Sequence, residues 1–145
     1  MKKTLFFIAL LFSVPALAQK KDDVPKTFDM VIGAYTTGSS KGISVYRFYT
    51  ETGRTAYLSE IDGIDNPSYV CFSANHRFIY SVNEIGADRK GSVSAFSFEP
   101  KVGKITLINK QPSTGTGPCY ISIDKDQKHV FVANYAGGSL SVLPV

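Results

Sequence analysis

Tryptophan is missing altogether, histidine and cysteine occur only twice each, and no apolar run reaches the length of a membrane span. Each shortage removes a class of reading. The two cysteines, Cys71 and Cys119, make neither a metal site nor a disulfide scaffold. An exported chain could oxidise them to one bridge, but they do not correspond in the repeat described below, which argues against a purpose-built one. Beyond Lys20-Lys21 there is no Lys/Arg cluster, so charge gives no argument for a nucleic-acid partner. The stretch "TGSSKG" (Thr37 to Gly42) lacks the G-x-x-x-x-G-K-[ST] spacing and joins two strands, so no helix N-terminus is available to a phosphate. There is no G-x-S-x-G elbow, and Asp124-Lys125-Asp126 lacks the Gly and Glu of a calcium loop. A helical period is also absent from everything after the first residues.

Those first residues form a separate unit. Lys2 and Lys3 give a positive start, Leu5 to Val14 is apolar, Pro15 breaks the run, and Ala16-Leu17-Ala18 offers a small-residue cleavage site. This is the pattern of a secretory signal peptide over residues 1–18, cut before Gln19 and followed by a short linker over 19–27. The run falls short of the roughly 20 apolar residues of a membrane helix. With no Cys after the cut, a lipid anchor is not expected either, and the mature chain is read as periplasmic or secreted. Losing Lys2 and Lys3 takes the formal charge from +4 to +2 (4 − 2), so the basic balance belongs partly to the leader.

What the chain does have is a repeat. Pro67 and Pro118, Tyr69 and Tyr120, Arg77 and Lys128, and Asn83 and Asn134 all stand at one offset of 51 residues (118 − 67 in the first pair). After a shorter loop "GSVSAFSF" (Gly91 to Phe98) matches "GSLSVLPV" (Gly138 to Val145) at an offset of 47 (138 − 91). A weaker third copy lies upstream, where "MVIGAY" (Met30 to Tyr35) resembles "VFVANY" and "KGISVYRF" (Lys41 to Phe48) resembles "KGSVSAFSF". Within the central copy, Tyr69 to Ser73, Phe78 to Asn83, Ser92 to Phe98 and Lys104 to Asn109 read as strands rich in Val, Ile, Phe and Tyr. Turn residues divide them at Ala74-Asn75-His76, in the Gly86 to Gly91 loop and at Pro100 to Gly103.

Strands such as "VFVA" and "FIYSV" are apolar on both faces, which requires a sheet covered on both sides. Four-stranded antiparallel sheets stacked around an axis meet that requirement: the fold class is all-β, a β-propeller. The boundaries are a first blade over 28–65 lacking its innermost strand, a complete blade over 66–116, and three strands over 117–145. About two and a half blades cannot close a ring of 4–8. The chain is therefore expected to be the N-terminal part of a longer gene product, or a truncated one, and, alone, to aggregate or stay partly unfolded.

In such a blade the start of the first strand lies beside the end of the second. That places Asn66-Pro67-Ser68-Tyr69 beside Asn83-Glu84, and Gly117-Pro118-Cys119-Tyr120 beside Asn134-Tyr135, all on one rim near the axis. His76 and His129 fall at the opposite end and read as solvated turn residues. Glu84, ending an apolar strand at the inner rim, is the candidate general base. Tyr120 is suited to donating to a bound carbonyl or oxyanion, although its counterpart Tyr69 equally suits both to packing. Asn66, Asn83, Asn134 and Tyr135 complete the rim as candidate substrate-binding residues.

The segments "IGAYTTGSSKGISVYRF", "NPSYVCFS", "FIYSVNE", "GSVSAFSF" and "GPCYISIDKDQKHVFVANYAGGSLSVLPV" resemble the bacterial lactonase family of seven-bladed propellers, which includes 6-phosphogluconolactonase and fungal muconate cycloisomerases. The likeness runs from about Phe28 to Val145 and covers roughly the first third of a family member. It implies hydrolysis of a small-molecule sugar lactone, with a carboxylate activating water and no cofactor. By resemblance Glu84 matches a family acid near the pore, and Tyr120 stands where many members have His in "GPCH". With a pKa near 10, a Tyr cannot replace a near-neutral base. Basic substrate-binding residues would come from later blades. Export is a second departure, since a 6-phosphogluconolactone pool is expected in the cytoplasm; an unphosphorylated lactone is the alternative substrate. The competing reading is an exported propeller that binds a carbohydrate or protein without chemistry.

Overall fold

Runs of β-branched and aromatic residues, cut by turn residues, become ten strands of three to nine residues and no helix in a computed structural model that describes residues 25–84 and 90–145. The expected signal peptide, most of the linker and most of the Gly86 to Gly91 loop lie outside the described residues. Strands β1 (Thr27–Gly33), β2 (Ile43–Tyr49) and β3 (Thr55–Ile61) form one sheet in that order. Thr27, the last residue of the expected linker, already pairs with Tyr49. Strands β4 (Val70–Phe72), β5 (Phe78–Asn83), β6 (Ser92–Glu99) and β7 (Lys104–Pro112) form a four-stranded sheet. Strands β8 (Pro118–Ile123), β9 (His129–Asn134) and β10 (Ser139–Pro144) form the third. Every pairing is antiparallel between consecutive strands, as in successive propeller blades.

The central sheet is covered on both faces. Ile79, Phe96 and Phe98 pack with Ile43, Val45 and Ile64 of the first module, while Tyr80, Val82 and Val93 pack with Ile121, Val130 and Val132 of the third. Strand alternation produces this division, because Ile79 and Tyr80 are neighbours on opposite faces. On β6 Val93 and Ala95 turn toward the third module and Phe96 and Phe98 toward the first, while the register shift between Ala95 and Phe96 leaves Ile108 of β7 as the extra residue. Each fully buried side chain of this size contributes about 1.5–3 kcal/mol. The outer face of the third sheet is bare by contrast: Leu140 is 66% and Val142 53% exposed.

Equivalent positions behave alike, which gives the repeat a physical meaning. Asn66 and Gly117 share a repeat position, and both adopt left-handed backbone, with φ of 42° and 62°. Asn and Gly are the residues that tolerate this region, so "NP" and "GP" are two solutions of one turn. The next residues, Pro67 and Pro118, are fully buried. Each docks on a glycine of the preceding module: a Cβ on Gly42 would lie 3.3 Å from Pro67 Cγ, and one on Gly91 only 2.1 Å from Pro118 Cδ. A Cβ on Gly138, the third copy of that glycine, would meet nothing within 4 Å.

Candidate functional site

The inner rim is assembled where β5 and β9 end. Asn83 closes β5 and Asn134 closes β9, at the same place in their modules. The following residues repeat one bond: Glu84 N donates to Asn66 O at 3.2 Å, and Tyr135 N donates to Gly117 O at 2.9 Å. These bonds seat the Glu84 backbone beside the turn that opens the inner strand. They fix where its side chain starts.

Its carboxylate meets Tyr35, just beyond β1 in the first module. Tyr35 Oη donates to Glu84 Oε2 at 2.5 Å, at the short end of the range for a hydroxyl on a carboxylate. The phenol is held above its ordinary pKa of 10.0, first by this hydrogen bond, then by burial, then by the charges of Glu84 and the Cys119 thiolate. It therefore remains a proton donor throughout the neutral range. Tyr35 was absent from the expected site, yet the sequence held a signal for it. In the three aligned copies, Tyr35, Glu84 and Tyr135 occupy the same position.

Beside this pair stand the other rim tyrosines. The rings of Tyr69 and Tyr120 lie with centroids 4.7 Å apart at an interplanar angle of 49°, and both remain partly exposed. Tyr120 thus packs on its repeat counterpart while its outer surface stays open to a ligand. Tyr135 is 85% exposed. Of the expected residues, Glu84, Tyr120 and Tyr135 reach the open rim.

The three asparagines stand behind it. Asn66 Oδ1 accepts from Thr36 N at 2.8 Å and Thr36 Oγ1 at 3.1 Å, tying the first module to the second. Asn83 is 1% exposed; its Nδ2 donates to Asp65 O at 3.1 Å and its Oδ1 accepts from Ser94 Oγ at 2.8 Å. Asn134 is buried to the same degree, and its Nδ2 donates to Ser141 Oγ at 2.9 Å and Ser139 Oγ at 3.3 Å. The Ser141 hydroxyl in turn donates to Ser113 O. It cannot also donate to Asn134, which fixes the orientation of that amide.

At the far end of the modules, His76 and Gln127 share a repeat position and left-handed φ values of 55° and 58°. His129 Nδ1 lies 3.2 Å from Asp124 Oδ2. Asp124 is held below the usual carboxylate range, chiefly by the His129 backbone N–H. His76 thus lies in a hairpin turn and His129 opens β9 just after the equivalent turn, both at the opposite end of their strands from Glu84. Cys71 and Cys119 are free thiols, and burial pushes Cys71 up to about 11. No cluster of three metal-binding side chains occurs among the described residues. An apolar hollow lined by Phe78, Tyr80, Val93, Ile108, Val130 and Leu143 opens between the outer parts of the second and third sheets. It adjoins β10, an end strand of its sheet, and includes none of the rim residues.

Comparison with known proteins supplies the context for this rim. Residues 29–145 match the family described as "Lactonase, 7-bladed beta-propeller". The chain is 38% identical over 117 residues to a 6-phosphogluconolactonase of Formosa agariphila, an alignment covering 80% of this chain and 33% of the relative. A solved structure from Bacteroides fragilis is 42% identical with a TM-score of 0.77, covering 83% of this chain and 33% of that one. The periplasmic gluconolactonase of Pseudomonas aeruginosa is 35% identical with a TM-score of 0.76, covering 82% and 35%. The chain spans about a third of the length of the curated relatives it matches. Repeat, sheet order and family match agree: the chain belongs to the seven-bladed β-propeller lactonase family.

Proposed function

We propose that these modules act within a seven-bladed ring that hydrolyses a sugar lactone, with Glu84 as general base. The observation that carries this reading is the Glu84 carboxylate at the inner rim, bonded by Tyr35 at 2.5 Å, in a chain of the lactonase family. The bare outer face of the third sheet, with nothing near Gly138, supports a further module docking as Pro67 and Pro118 dock on Gly42 and Gly91.

In the reaction, water attacks the ring carbonyl while Glu84 takes its proton, and the carbonyl electron pair moves onto oxygen. The tetrahedral species collapses with cleavage of the carbon–ring-oxygen bond, and the departing alkoxide recovers the proton from Glu84. The product is an open hydroxy acid, which ionises at neutral pH. Tyr120, partly exposed and with a phenolic O–H, is suited to donating to the developing oxyanion. Tyr135 offers an exposed ring face for the sugar.

We also propose that the protein is exported. The charged start, apolar run and Ala16-Leu17-Ala18 support this, as does its likeness to a gluconolactonase described as periplasmic. An unphosphorylated lactone is then the natural substrate.

The test is a ring chimera in which residues 29–145 replace the matching third of the Formosa agariphila relative, assayed by proton release with gluconolactone and its 6-phosphate. Turnover of either above the uncatalysed rate, lost by about 10²–10⁴-fold in Glu84→Gln, is the expected result. A folded chimera that opens neither lactone, or one indifferent to Glu84→Gln, refutes the mechanism. Saturable sugar binding without turnover would instead favour a binding propeller, a reading supported by the four exposed rim tyrosines, Tyr35, Tyr69, Tyr120 and Tyr135.

A further inference from the structure

We infer that Tyr35 is the positioning residue of Glu84: it holds Oε2 by a donated hydrogen bond, so that Oε1 presents its lone pair to the attacking water. The inference rests on the reading of Glu84 as general base. It begins from the repeat. One position, just past the second strand of each module, carries Tyr35, Glu84 and Tyr135, so the acid and its phenol neighbour occupy equivalent places in adjoining modules. Because neighbouring sheets converge at the inner rim, equivalent positions of the first and second modules come within bonding distance there, at 2.5 Å.

The bond is not needed to dock the sheets. Thr36 N to Asn66 Oδ1 at 2.8 Å, Arg47 Nη2 to Pro100 O at 2.9 Å and Ser59 Oγ to Gly103 O at 2.5 Å already join the first module to the second, over a shared apolar core. Tyr35 is half exposed and contributes little to that core. What its hydroxyl does is select a rotamer of a carboxylate that would otherwise sample several. The Tyr35 proton stays on Oη throughout, while the proton of water moves to Oε1 and then to the departing alkoxide.

Two measurements test the assignment. In the ring chimera labelled with ¹³Cζ-tyrosine, the Tyr35 resonance (identified by its loss in Tyr35→Phe) should titrate above pH 10, and Glu84→Gln should return it toward the ordinary value. An unchanged titration means that the pair does not form, and overturns the inference whatever the enzyme does. In the ring chimera, Tyr35→Phe should lower kcat by about tenfold or more with KM within about twofold, the loss expected for one hydrogen bond to a charged group. That split between kcat and KM is a change that a merely structural role would not produce. A Tyr35→Phe chimera with unaltered kcat overturns the positioning role while leaving Glu84 as base. If Glu84→Gln itself keeps full turnover, the general-base reading fails, and this inference with it, even where the titration shows the pair intact.

Discussion

Replacing Asn83 by alanine separates two roles that its position allows. The side chain is 1% exposed and uses both ends of its amide, donating to Asp65 O and accepting from Ser94 Oγ. Ser94 is fully buried, so its hydroxyl would lose its acceptor where water cannot substitute, costing about 1–3 kcal/mol. The Asp65 carbonyl is less enclosed, and losing its donor costs about 0.5–1.5 kcal/mol. With the small void left by the amide, Asn83→Ala should destabilise by about 2–4 kcal/mol. The assay is urea unfolding of the ring chimera followed by far-ultraviolet circular dichroism. Adding Ser94→Ala should cost little more, because it removes the stranded hydroxyl; the double-mutant cycle should therefore show a coupling of about 1–3 kcal/mol. If Asn83 instead faced substrate, stability would stay within about 0.5 kcal/mol and KM for the lactone would rise. That outcome would refute the assignment of Asn83 to the module interface.

Two further changes probe the fold. Gly91→Ala places a methyl group 2.1 Å from Pro118 Cδ and 2.7 Å from Ser113 Oγ, so it should destabilise by about 1–3 kcal/mol, with most of the loss recovered when Pro118→Ala is added. Additive urea midpoints for that pair would contradict the docking of proline on glycine. Burial raises the Cys71 thiol from 9.0 to about 11. A folded pKa above the unfolded one means that its contribution to stability is whole below pH 9 and is lost as pH rises through 11. Unfolding midpoints taken across that window should fall more steeply for the parent than for Cys71→Ala, and equal slopes would show the thiol to be accessible to solvent.

How much of this was legible in the sequence depends on whether a feature lives within one module or between two. The offset of 51 residues placed Asn83 and Asn134 at equivalent strand ends and brought Glu84 to the Asn66 turn, because these follow from hairpin geometry alone. The left-handed turn was legible too, since Asn66 and Gly117 are the residue types such backbone tolerates. Less was read from strand alternation than it contained. Ile79, Ser81 and Asn83 share one face by period 2, so a buried Ile79 already implied that Asn83 turns inward against the first module rather than out over the rim. The Tyr35–Glu84 bond had no such rule. It spans 49 residues and two sheets, and it forms because adjacent sheets approach at the rim at one particular angle. The repeat aligns Tyr35 with Glu84 but cannot say that equivalent positions touch; that depends on how closely Pro67 seats against Gly42 and the Gly33 backbone, a matter of tenths of an ångström. A phenol–carboxylate pair formed across modules is thus decided by the packing of glycine on proline. For that reason a substitution such as Gly42→Ala, whose Cβ would lie 2.8 Å from Ile64 O, should weaken the Tyr35 titration shift as well as stability, although it touches neither residue of the pair.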